Sequence, residues 1–536
     1  MSRTTTDPIG ALRAAIKDAA SALGNGSAQP ALERPPKPDF GDYSTNAAML
    51  LAPVLRAPPR DVAARLSEEL RGRLADRLER VEVAGPGFLN LFLGDEWFRD
   101  ALRAVLAAGE GFGGGGASVT ERIDVEFVSA NPTGPMHVGH ARNAAYGDAL
   151  ARLLAFHGHD VTREFYVNDY GTQVRKLGES IRALARREEV PEDGYHGDYI
   201  GDLAREIEGA AELDIETLAR RGVELMVAHM RESLHRFRVD FDVWFSERDL
   251  HQGDPDPVRH AFHVLEEQGQ VYRSEGALWL RTSEFGDDKD RVLERSSGEH
   301  TYFASDIAYH QEKRERGFDR LINVWGADHH GYVQRMKAAY DALGGDADRL
   351  ELLIMQFVHL AGGQSMSKRA GEFVTLDDLV AEIGVDAARW FLLARSHDTT
   401  IELDLDLARE ESAENPVYYV QYAHARIAGV LAKAGTRDVV FGEVSAPLEP
   451  AERALVKKLL AWPAEVAEAG ERRAPHRIAT YALELAQEFT AFYRDCRVVG
   501  AEGEGVERWR IALCVAAQRT IAAALAQLGV SAPERM

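Results

Sequence analysis

The alternation of apolar and polar positions predicts helices and short strands in the first part of the chain. Apolar residues recur at helical spacing over Pro8–Leu23 and again over Glu96–Ala108. Before the second of these helices, residues 81–93 alternate as two short strands around a Gly-Pro-Gly turn. We therefore predict a small α+β domain over residues 1–110, followed by a glycine-rich linker that ends at Gly116.

From residue 117 onward the pattern changes to strands that alternate with helices. Arg122–Val128 alternates as a strand, and it precedes a helix that we predict from His137 to Phe156. Such alternation is typical of a doubly wound parallel sheet. We predict an α/β domain over residues 117–385, interrupted by an insertion at about 165–300, and then an all-α domain over residues 386–536.

Composition limits the partners and the compartment. The formal net charge is −23, but from Ser412 onward about 15 basic residues balance about 15 acidic ones. This distribution excludes unspecific coating of nucleic acid and allows docking of one defined RNA. We find no run of about 18 apolar residues and no signal-like N-terminus, so we expect no membrane segment. Cys496 and Cys514 lack paired metal-ligand spacing, which predicts a reducing cytoplasm and no zinc site.

The first candidate for chemistry is the run from His137 to His140, where a predicted strand gives way to a helix. Backbone N–H groups and the helix dipole favour phosphate at such a junction. The two histidines share one helical face and could donate hydrogen bonds to an ATP triphosphate, while Gly139 would let adenine lie against the backbone. Two ordinary helix histidines are the alternative, which the strand–loop–helix context disfavours.

A second candidate is the glycine-bounded loop Gly363–Gly371, in which Lys368 could reach the leaving pyrophosphate. Alone, such a loop is more typical of a solvated surface turn. The order of histidines first and lysine loop about 230 residues later is, however, that of class I synthetases.

A third candidate is the loop Trp325–Gly331, which follows an apolar strand. Asp328 would then lie at the carboxyl end of the strand and accept hydrogen bonds from ribose hydroxyls. The rival interpretation is a metal site formed by Asp328, His329 and His330. The absence of a third cluster at ligand spacing disfavours it.

A set of acidic residues suits a guanidinium group, which carboxylates bind in a planar, bidentate pair. Glu126 lies on the strand before the histidine loop, and Glu247 follows another apolar segment. Tyr302 and Asp306, at i and i+4, would share a helical face. Each acid alone is more commonly a structural or solvated charge, so these assignments depend on the resemblance that follows.

Taken together, the motifs resemble those of the bacterial-type arginyl-tRNA synthetases over essentially the full chain. The runs that carry the resemblance are Val125–His140, Phe40–Asn46, Gly85–Asn90, Gly326–Gly331, Asn415–Arg426 and Pro533–Met536. The resemblance implies a class I Rossmann-like parallel-sheet catalytic domain, an N-terminal domain at the tRNA elbow and a C-terminal, all-α anticodon-binding domain.

The resemblance also implies ATP-dependent activation of L-arginine to arginyl-adenylate, followed by transfer to the 3′-terminal adenosine of tRNA(Arg). The first step would need bound tRNA. ATP would enter with Mg²⁺ as a substrate complex, with no tightly bound cofactor and no resident metal, and the enzyme would be a cytoplasmic monomer. A pocket that satisfies a buried charged group rejects substrates without it by about 10⁴- to 10⁵-fold, so no editing domain is expected.

Residue roles follow from the same resemblance. The catalytic residues would be His137, His140 and Lys368. The ATP-binding residues would be Gly139, His140, Gly326, Asp328, Met366 and Lys368. The arginine-binding residues would be Glu126, Ser129, Asn131, His137, Glu247, Tyr302 and Asp306. The tRNA-binding residues would be Phe88, Asn90, Tyr418, Tyr422 and Arg426.

One departure and three alternatives stay open. Ser365 stands where the lysine loop of class I enzymes usually begins with lysine, which leaves more phosphate contact to Lys368, Arg369 and the histidines. The chain could be a catalytically inactive paralogue that binds RNA, although the histidines and Lys368 are intact. A small adenylyltransferase would not need the terminal domains. Tyr418 and Tyr422 could pack in a core instead of contacting RNA.

Overall fold

The structure, a computed structural model, describes residues 7–24, 29–35, 37–361, 374–437, 440–444 and 446–536. The N-terminal unit is a four-stranded antiparallel sheet, in the order β1-β2-β4-β3, packed against helices. Its elements are α1 (Pro8–Leu23), β1 (Leu32–Glu33), β2 (Tyr43–Thr45), α2 (Ala47–Leu55), α3 (Pro59–Leu74), β3 (Leu78–Ala84), β4 (Phe88–Leu93) and α4 (Asp95–Ala108). The predicted hairpin and helices are confirmed.

A five-stranded, all-parallel sheet forms the centre of the chain, in the order β12-β11-β5-β6-β7. Its elements, with the helix that follows the first strand, are β5 (Arg122–Glu126), α5 (Val138–His157), β6 (Asp160–Val167), β7 (Val243–Ser246), β11 (Arg320–Gly326) and β12 (Leu350–Met355). The strand order changes direction between β5 and β11, which is where such sheets open a crevice for ligands. Helix α5 lies close to β5, because a Cβ on Gly147 would stand 2.1 Å from the Phe127 ring.

The chain leaves this sheet twice. Between β6 and β7 it forms α6 (Thr172–Ala185), α7 (Asp198–Glu206) and α8 (Ile215–Arg236). Between β7 and β11 it forms α9 (Pro257–Glu267), β8 (Val271–Ser274), β9 (Ala277–Leu280), β10 (Arg291–Glu294) and α10 (Tyr302–Glu315), and α11 (Val333–Ala342) follows β11. Strands β8 and β9 form a hairpin, and β10 joins it as a third strand. The segment predicted as one insertion, 165–300, therefore contains a strand of the central sheet.

After the sheet, the structure has a strand pair that the sequence pattern did not predict. β13 (Val358–Leu360) pairs in parallel with β14 (Ile401–Leu403), and α12 (Leu376–Leu393) lies between them in sequence, with α13 (Leu405–Arg409) after them. The domain boundary predicted at residue 385 thus lies inside α12. A strand of three residues has too few alternating apolar and polar positions to be recognised in the sequence.

The C-terminal part is helical, as predicted, with α14 (Pro416–Ala434), α15 (Pro450–Leu460), α16 (Trp462–Glu471), α17 (His476–Asp495) and α18 (Val506–Gln527). Helices α15 and α16 meet at Ala461, just before the sequence Trp462-Pro463. Helix α18 is long and apolar enough, by length and composition alone, to cross a membrane. Of its most apolar window, 72% is buried, and it packs against α4, α14, α15 and α17.

Candidate functional site

A cleft of about 650 Å³ opens at the carboxyl edge of the parallel sheet, between the ends of β5 and β11. The residues predicted for ATP and for the amino-acid backbone that line it are Ser129, Asn131, His137, Gly139, His140, Gly326 and Asp328. Lys368 and Met366 lie outside the described residues. The structure thus brings two separate sequence motifs, Val125–His140 and Gly326–Gly331, to one cavity.

Hydrogen bonds of the two histidine rings in this cleft stabilise the N-terminus of α5. His137 caps the helix, and its Nδ1 accepts from the Gly139 N–H at 3.1 Å, while Nδ1 of His140 accepts from the His137 N–H at 3.2 Å. The rings stack with centroids 3.7 Å apart. Because a neutral imidazole with an accepting Nδ1 carries its proton on Nε2, both rings are hydrogen-bond donors through Nε2.

Burial keeps these histidines uncharged. It lowers the pKa of His137, and burial together with the neighbouring His137 lowers the pKa of His140 to about 3. Both rings are therefore neutral N–H donors at physiological pH. Such donors can contact phosphate oxygens without the repulsion that two adjacent imidazolium charges would cause.

The chain turns sharply between β5 and the histidines. Val128 and Ser129 adopt positive φ angles of 70° and 41°, which is a strained conformation for a β-branched residue. The side-chain amide of Asn143, on α5, stabilises this turn. Its oxygen accepts from the Val128 N–H at 2.7 Å, and its nitrogen donates to the Val324 carbonyl at 3.0 Å. Asn143 thus joins the ends of β5 and β11 and fixes the floor of the cleft.

Gly139 and the Asp328 loop form opposite sides of the same cleft. A Cβ on Gly139 would stand 2.9 Å from Cε1 of His137, so glycine is required here to leave room for the histidine ring. Asp328 is exposed, beyond the end of β11, and its carboxylate lies 3.4 Å from Nε2 of His329. Within the described residues, no group of three His, Cys, Asp or Glu side chains is arranged to hold a metal ion.

A second, more buried pocket lies beside the cleft and is formed by carboxylates. Glu247 follows β7 and is buried, and its Oε2 has no hydrogen-bond partner among the residues that the structure describes. Burial, with the negative charges of Asp306 and Asp169, raises the pKa of Glu247 to about 8. Burial raises the pKa of Asp306 to about 7. The Tyr332 hydroxyl, which donates a hydrogen bond to this carboxylate at 2.5 Å, acts in the opposite direction and lowers it. Neither acid forms a salt bridge with a basic side chain in the part of the chain that the structure describes.

Tyrosines that the sequence analysis did not single out form the walls of this pocket. Tyr332 positions Asp306, and Tyr166 contacts Glu247 and slightly opposes the rise in its pKa. Tyr309 packs against Tyr166 with ring centroids 4.7 Å apart. Two signals could have identified them. Tyr166 lies at the carboxyl end of a sheet strand, and Tyr332 directly follows the loop predicted to hold the ribose.

Glu126 lies beneath the pocket in a buried charge network. Nζ of Lys313 stands 2.8 Å from Asp124 and 2.9 Å from Glu126, and all three side chains are buried. The other Glu126 oxygen accepts from the Ser129 hydroxyl at 2.9 Å. A buried carboxylate needs such partners to stay ionised. Glu126 therefore supports the turn at Ser129 from below, as a positioning group.

Tyr302 was predicted to share a helical face with Asp306 and to contact arginine, and that contact stays a prediction. It is the first residue of α10 and 77% exposed, whereas Asp306, one turn later, is partly buried. A side chain at the first helical position points back beyond the helix end, so it lacks the neighbouring turn that buries Asp306.

The aromatic and basic residues predicted on α14 form a ladder on the surface. The Tyr418 and Tyr422 rings are stacked at 6.1 Å with an 8° interplanar angle, and the Arg426 guanidinium lies 4.6 Å from the Tyr422 ring. Tyr422 is exposed, and so is Tyr493 on α17, whose ring lies 5.6 Å from Arg426. The core-packing alternative therefore does not describe Tyr422, and the sequence analysis missed Tyr493.

The two residues predicted to contact RNA in the N-terminal unit differ in exposure. Phe88 begins β4 and is exposed, whereas Asn90 is buried, and its amide oxygen accepts from the Ser44 hydroxyl at 3.0 Å. This burial favours a direct contact for Phe88 only. Asn90 is used within the sheet, where it fixes β2 against β4.

Three family profiles match consecutive parts of the chain. They are the arginyl tRNA synthetase N terminal domain over residues 10–93, the catalytic domain of tRNA synthetases class I (R) over residues 102–428, and the DALR anticodon binding domain over residues 420–536. The catalytic profile alone spans more than half of the chain and covers both pockets described above.

Curated relatives and solved structures agree with the profiles. An arginine–tRNA ligase of Moorella thermoacetica is 46% identical over 527 residues, which cover 94% of this chain and 93% of that protein. The Bacillus subtilis arginine–tRNA ligase is 44% identical over 526 residues, which cover 94% of each chain. The Thermus thermophilus arginyl-tRNA synthetase structure is 27% identical, with a TM-score of 0.75 over 98% of this chain and 100% of that one.

Proposed function

The chain belongs to the class I arginyl-tRNA synthetases, and from that premise we propose that it attaches L-arginine to tRNA(Arg) at the expense of ATP. In the first step, a carboxylate oxygen of arginine attacks the α-phosphorus of ATP, and pyrophosphate leaves. In the second, a hydroxyl of the terminal ribose attacks the activated carbonyl, and AMP leaves. The two pockets at the sheet edge provide separate places for the two small substrates.

The cleft at His137 and His140 fits the triphosphate. The Nε2–H donors of both neutral rings would contact phosphate oxygens as negative charge builds up on the pentacovalent phosphorus. Gly139, Gly326 and Asp328 would hold the nucleoside. We extend the same proposal to Met366 and Lys368, with Lys368 at the leaving pyrophosphate, and to Mg²⁺ as part of the ATP substrate.

The pocket of Glu247 and Asp306 fits the guanidinium of arginine. Two buried acids with raised pKa values have no cationic partner among the described residues, and a planar guanidinium would supply the charge and the fork of donors that both need. Ser129, Asn131 and His137 would contact the α-amino and carboxylate groups, with Glu126 behind Ser129. This pocket is the observation that carries the choice of arginine.

The proposal also covers the contacts with tRNA, the oligomeric state and the cellular compartment. Phe88 would contact the tRNA elbow, and the ladder of Tyr418, Tyr422 and Arg426 would contact the anticodon, because exposed aromatic and guanidinium groups stack on unpaired bases. We propose a monomer, since one chain supplies every residue of both pockets. The free thiols of Cys496 and Cys514 agree with the reducing cytoplasm.

The test is a pyrophosphate-exchange and charging assay over all amino acids, with and without total tRNA. We expect arginine alone to support exchange and charging, and exchange to need tRNA. Charging with a different amino acid would contradict the proposal, and absence of both activities would favour an inactive RNA-binding paralogue. The family match and the intact histidines support the enzyme over that alternative.

A further inference from the structure

Arg142 is a buried cation on α5, two residues after His140 and next to Asn143, and it does not itself line the ATP cleft. It forms no salt bridge with a carboxylate in the part of the chain that the structure describes. Burial lowers the pKa of Arg142 to about 10, so the guanidinium stays charged at neutral pH. A buried charge of this kind is unfavourable unless other polar groups satisfy it.

Four backbone carbonyls take the place of a carboxylate. Nη1 of the guanidinium donates to the Gln356 carbonyl at 2.6 Å and to the Phe357 carbonyl at 3.3 Å. Nη2 donates to the carbonyls of Ser396 and Thr399 at 2.9 and 2.7 Å. Each nitrogen thus binds one of two separate segments of the chain. Because the guanidinium is planar and rigid, it fixes both segments relative to α5.

These two segments are also joined to each other. The Gln356 N–H donates to the His397 carbonyl at 2.9 Å, and the Ile401 N–H donates to the Phe357 carbonyl at 3.0 Å. Strands β13 and β14 continue this pairing in parallel. The first segment follows the last paired position of the edge strand β12, so it lies beyond the central sheet. Arg142 therefore attaches the strand pair, as one unit, to the helix that carries the histidines.

The attached unit forms part of the wall of the ATP cleft. Gln356, Phe357 and Val358 line the cleft together with His137 and His140, and the Phe357 side chain is 60% exposed. The separation of this wall from the histidines determines where the phosphates of ATP lie relative to the Nε2 donors. A misplacement of about 1 Å in a reaction site can slow the reaction by about 10²-fold.

We propose that Arg142 is a positioning residue for adenylate formation, because it holds the Gln356 and Phe357 wall at a fixed distance from the histidines. The assignment rests on the proposed function, since it concerns the ATP-dependent step of that reaction. Arg142 acts through backbone carbonyls of the nucleotide cleft, so its substitution should impair the use of ATP and leave the binding of arginine unchanged.

Arg389, on α12, provides a matched control. It is also fully buried, and it donates to the Leu528 and Phe237 carbonyls at 2.7 and 3.0 Å and to Asp148 at 2.5 Å. None of these three partners lines the ATP cleft. Lysine at either position keeps the positive charge, but its single ammonium group cannot hold two segments in a planar fork. Both substitutions should therefore lower the melting temperature, and only the one at Arg142 should alter the cleft.

The test measures equilibrium binding of ATP and ATP–pyrophosphate exchange, with arginine and total tRNA, on the full-length protein. In Arg142→Lys, the kcat/KM for ATP should fall about 10²-fold, with the KM for arginine within about twofold of its original value. Arg389→Lys should leave the kinetic parameters of both substrates within about twofold. Equal losses of kcat/KM for ATP in the two variants would overturn the assignment, because they would indicate a general loosening of the fold. An unchanged Arg142→Lys, or one with equal rises in both KM values, would overturn it as well.

Phe357→Ala keeps the test decisive if Arg142→Lys does not fold, because the Phe357 side chain is exposed. Removal of an aromatic contact with a base should weaken ATP binding about tenfold. Unchanged binding would show that the wall held by Arg142 does not contact ATP, and would overturn the assignment. Charging of tRNA with arginine by the unaltered protein is measured on the same preparation. Its absence would contradict the proposed function, whereas ATP binding by the variants would still test the role of Arg142.

Discussion

The ATP cleft and the guanidinium pocket lie at the same edge of one sheet, but burial disfavours the positive charge of histidines in the cleft and the negative charge of carboxylates in the pocket. In the cleft, burial lowers the pKa values of His137 and His140, which stay neutral donors. In the pocket, burial raises the pKa values of Glu247 and Asp306, so that near neutral pH a bound cation would favour their charged forms. Under the proposed function, the nucleotide side is ready before binding, whereas the amino-acid side is completed by its substrate.

The largest expected effect is on the nucleotide side. His140→Ala removes a donor to the phosphates in the transition state, so kcat should fall by about 10²- to 10³-fold. The KM for arginine should change little, because the histidine does not touch the guanidinium pocket. Steady-state kinetics with each substrate varied measures both. An unchanged kcat would show that the His140 ring has only a structural role at the N-terminus of α5.

On the amino-acid side, Glu247→Gln keeps the shape of the side chain and removes its charge. Loss of one partner of a buried ion pair costs about 2–5 kcal/mol, so kcat/KM for arginine should fall by about 10²-fold or more, with the KM for ATP nearly constant. Asp249→Asn is the control, an exposed acid two residues away. If the two variants behaved alike, the pocket assignment would be wrong.

Tyr332→Phe should have a smaller effect on the same side. The phenol donates to Asp306 and holds the pKa of that carboxyl below the value that burial alone would give. A hydrogen bond to a charged group contributes about 1.5–3 kcal/mol, so arginine should bind about tenfold more weakly. The pH at which binding is half-maximal should rise. A weaker affinity for ATP instead would place Tyr332 in the nucleotide cleft.

The two regions also differ in how far the sequence predicts them. The ATP cleft follows from contiguous motifs: one strand, one loop and one helix carry Ser129 to His140, and local spacing fixes their relation. The guanidinium pocket collects Glu247, Asp306 and Tyr332 from segments that only the tertiary fold brings together. Its acids were found through family resemblance, and its tyrosines were missed.

The differences between the sequence pattern and the structure have local physical causes. Tyr302 satisfies the i, i+4 spacing with Asp306, but its place at the helix start leaves it far more exposed, a difference that periodicity does not encode. Strands β13 and β14 are too short for an alternating pattern to be visible in the sequence. The long helix α5, in contrast, was predicted from His137 to Phe156 and lies one residue further along at each end.

The most direct test of the contrast between the two regions is the pH dependence of kcat/KM for each substrate between pH 6 and pH 9. Guanidinium binding needs both carboxylates ionised, and their pKa values are about 8 and about 7 in the free enzyme. The kcat/KM for arginine should therefore fall about tenfold from pH 8 to pH 7, and more steeply below. The kcat/KM for ATP, measured at saturating arginine, should stay nearly constant, because the pKa of His140 is about 3 and burial lowers that of His137 as well. A flat arginine profile, or parallel profiles for both substrates, would contradict the account.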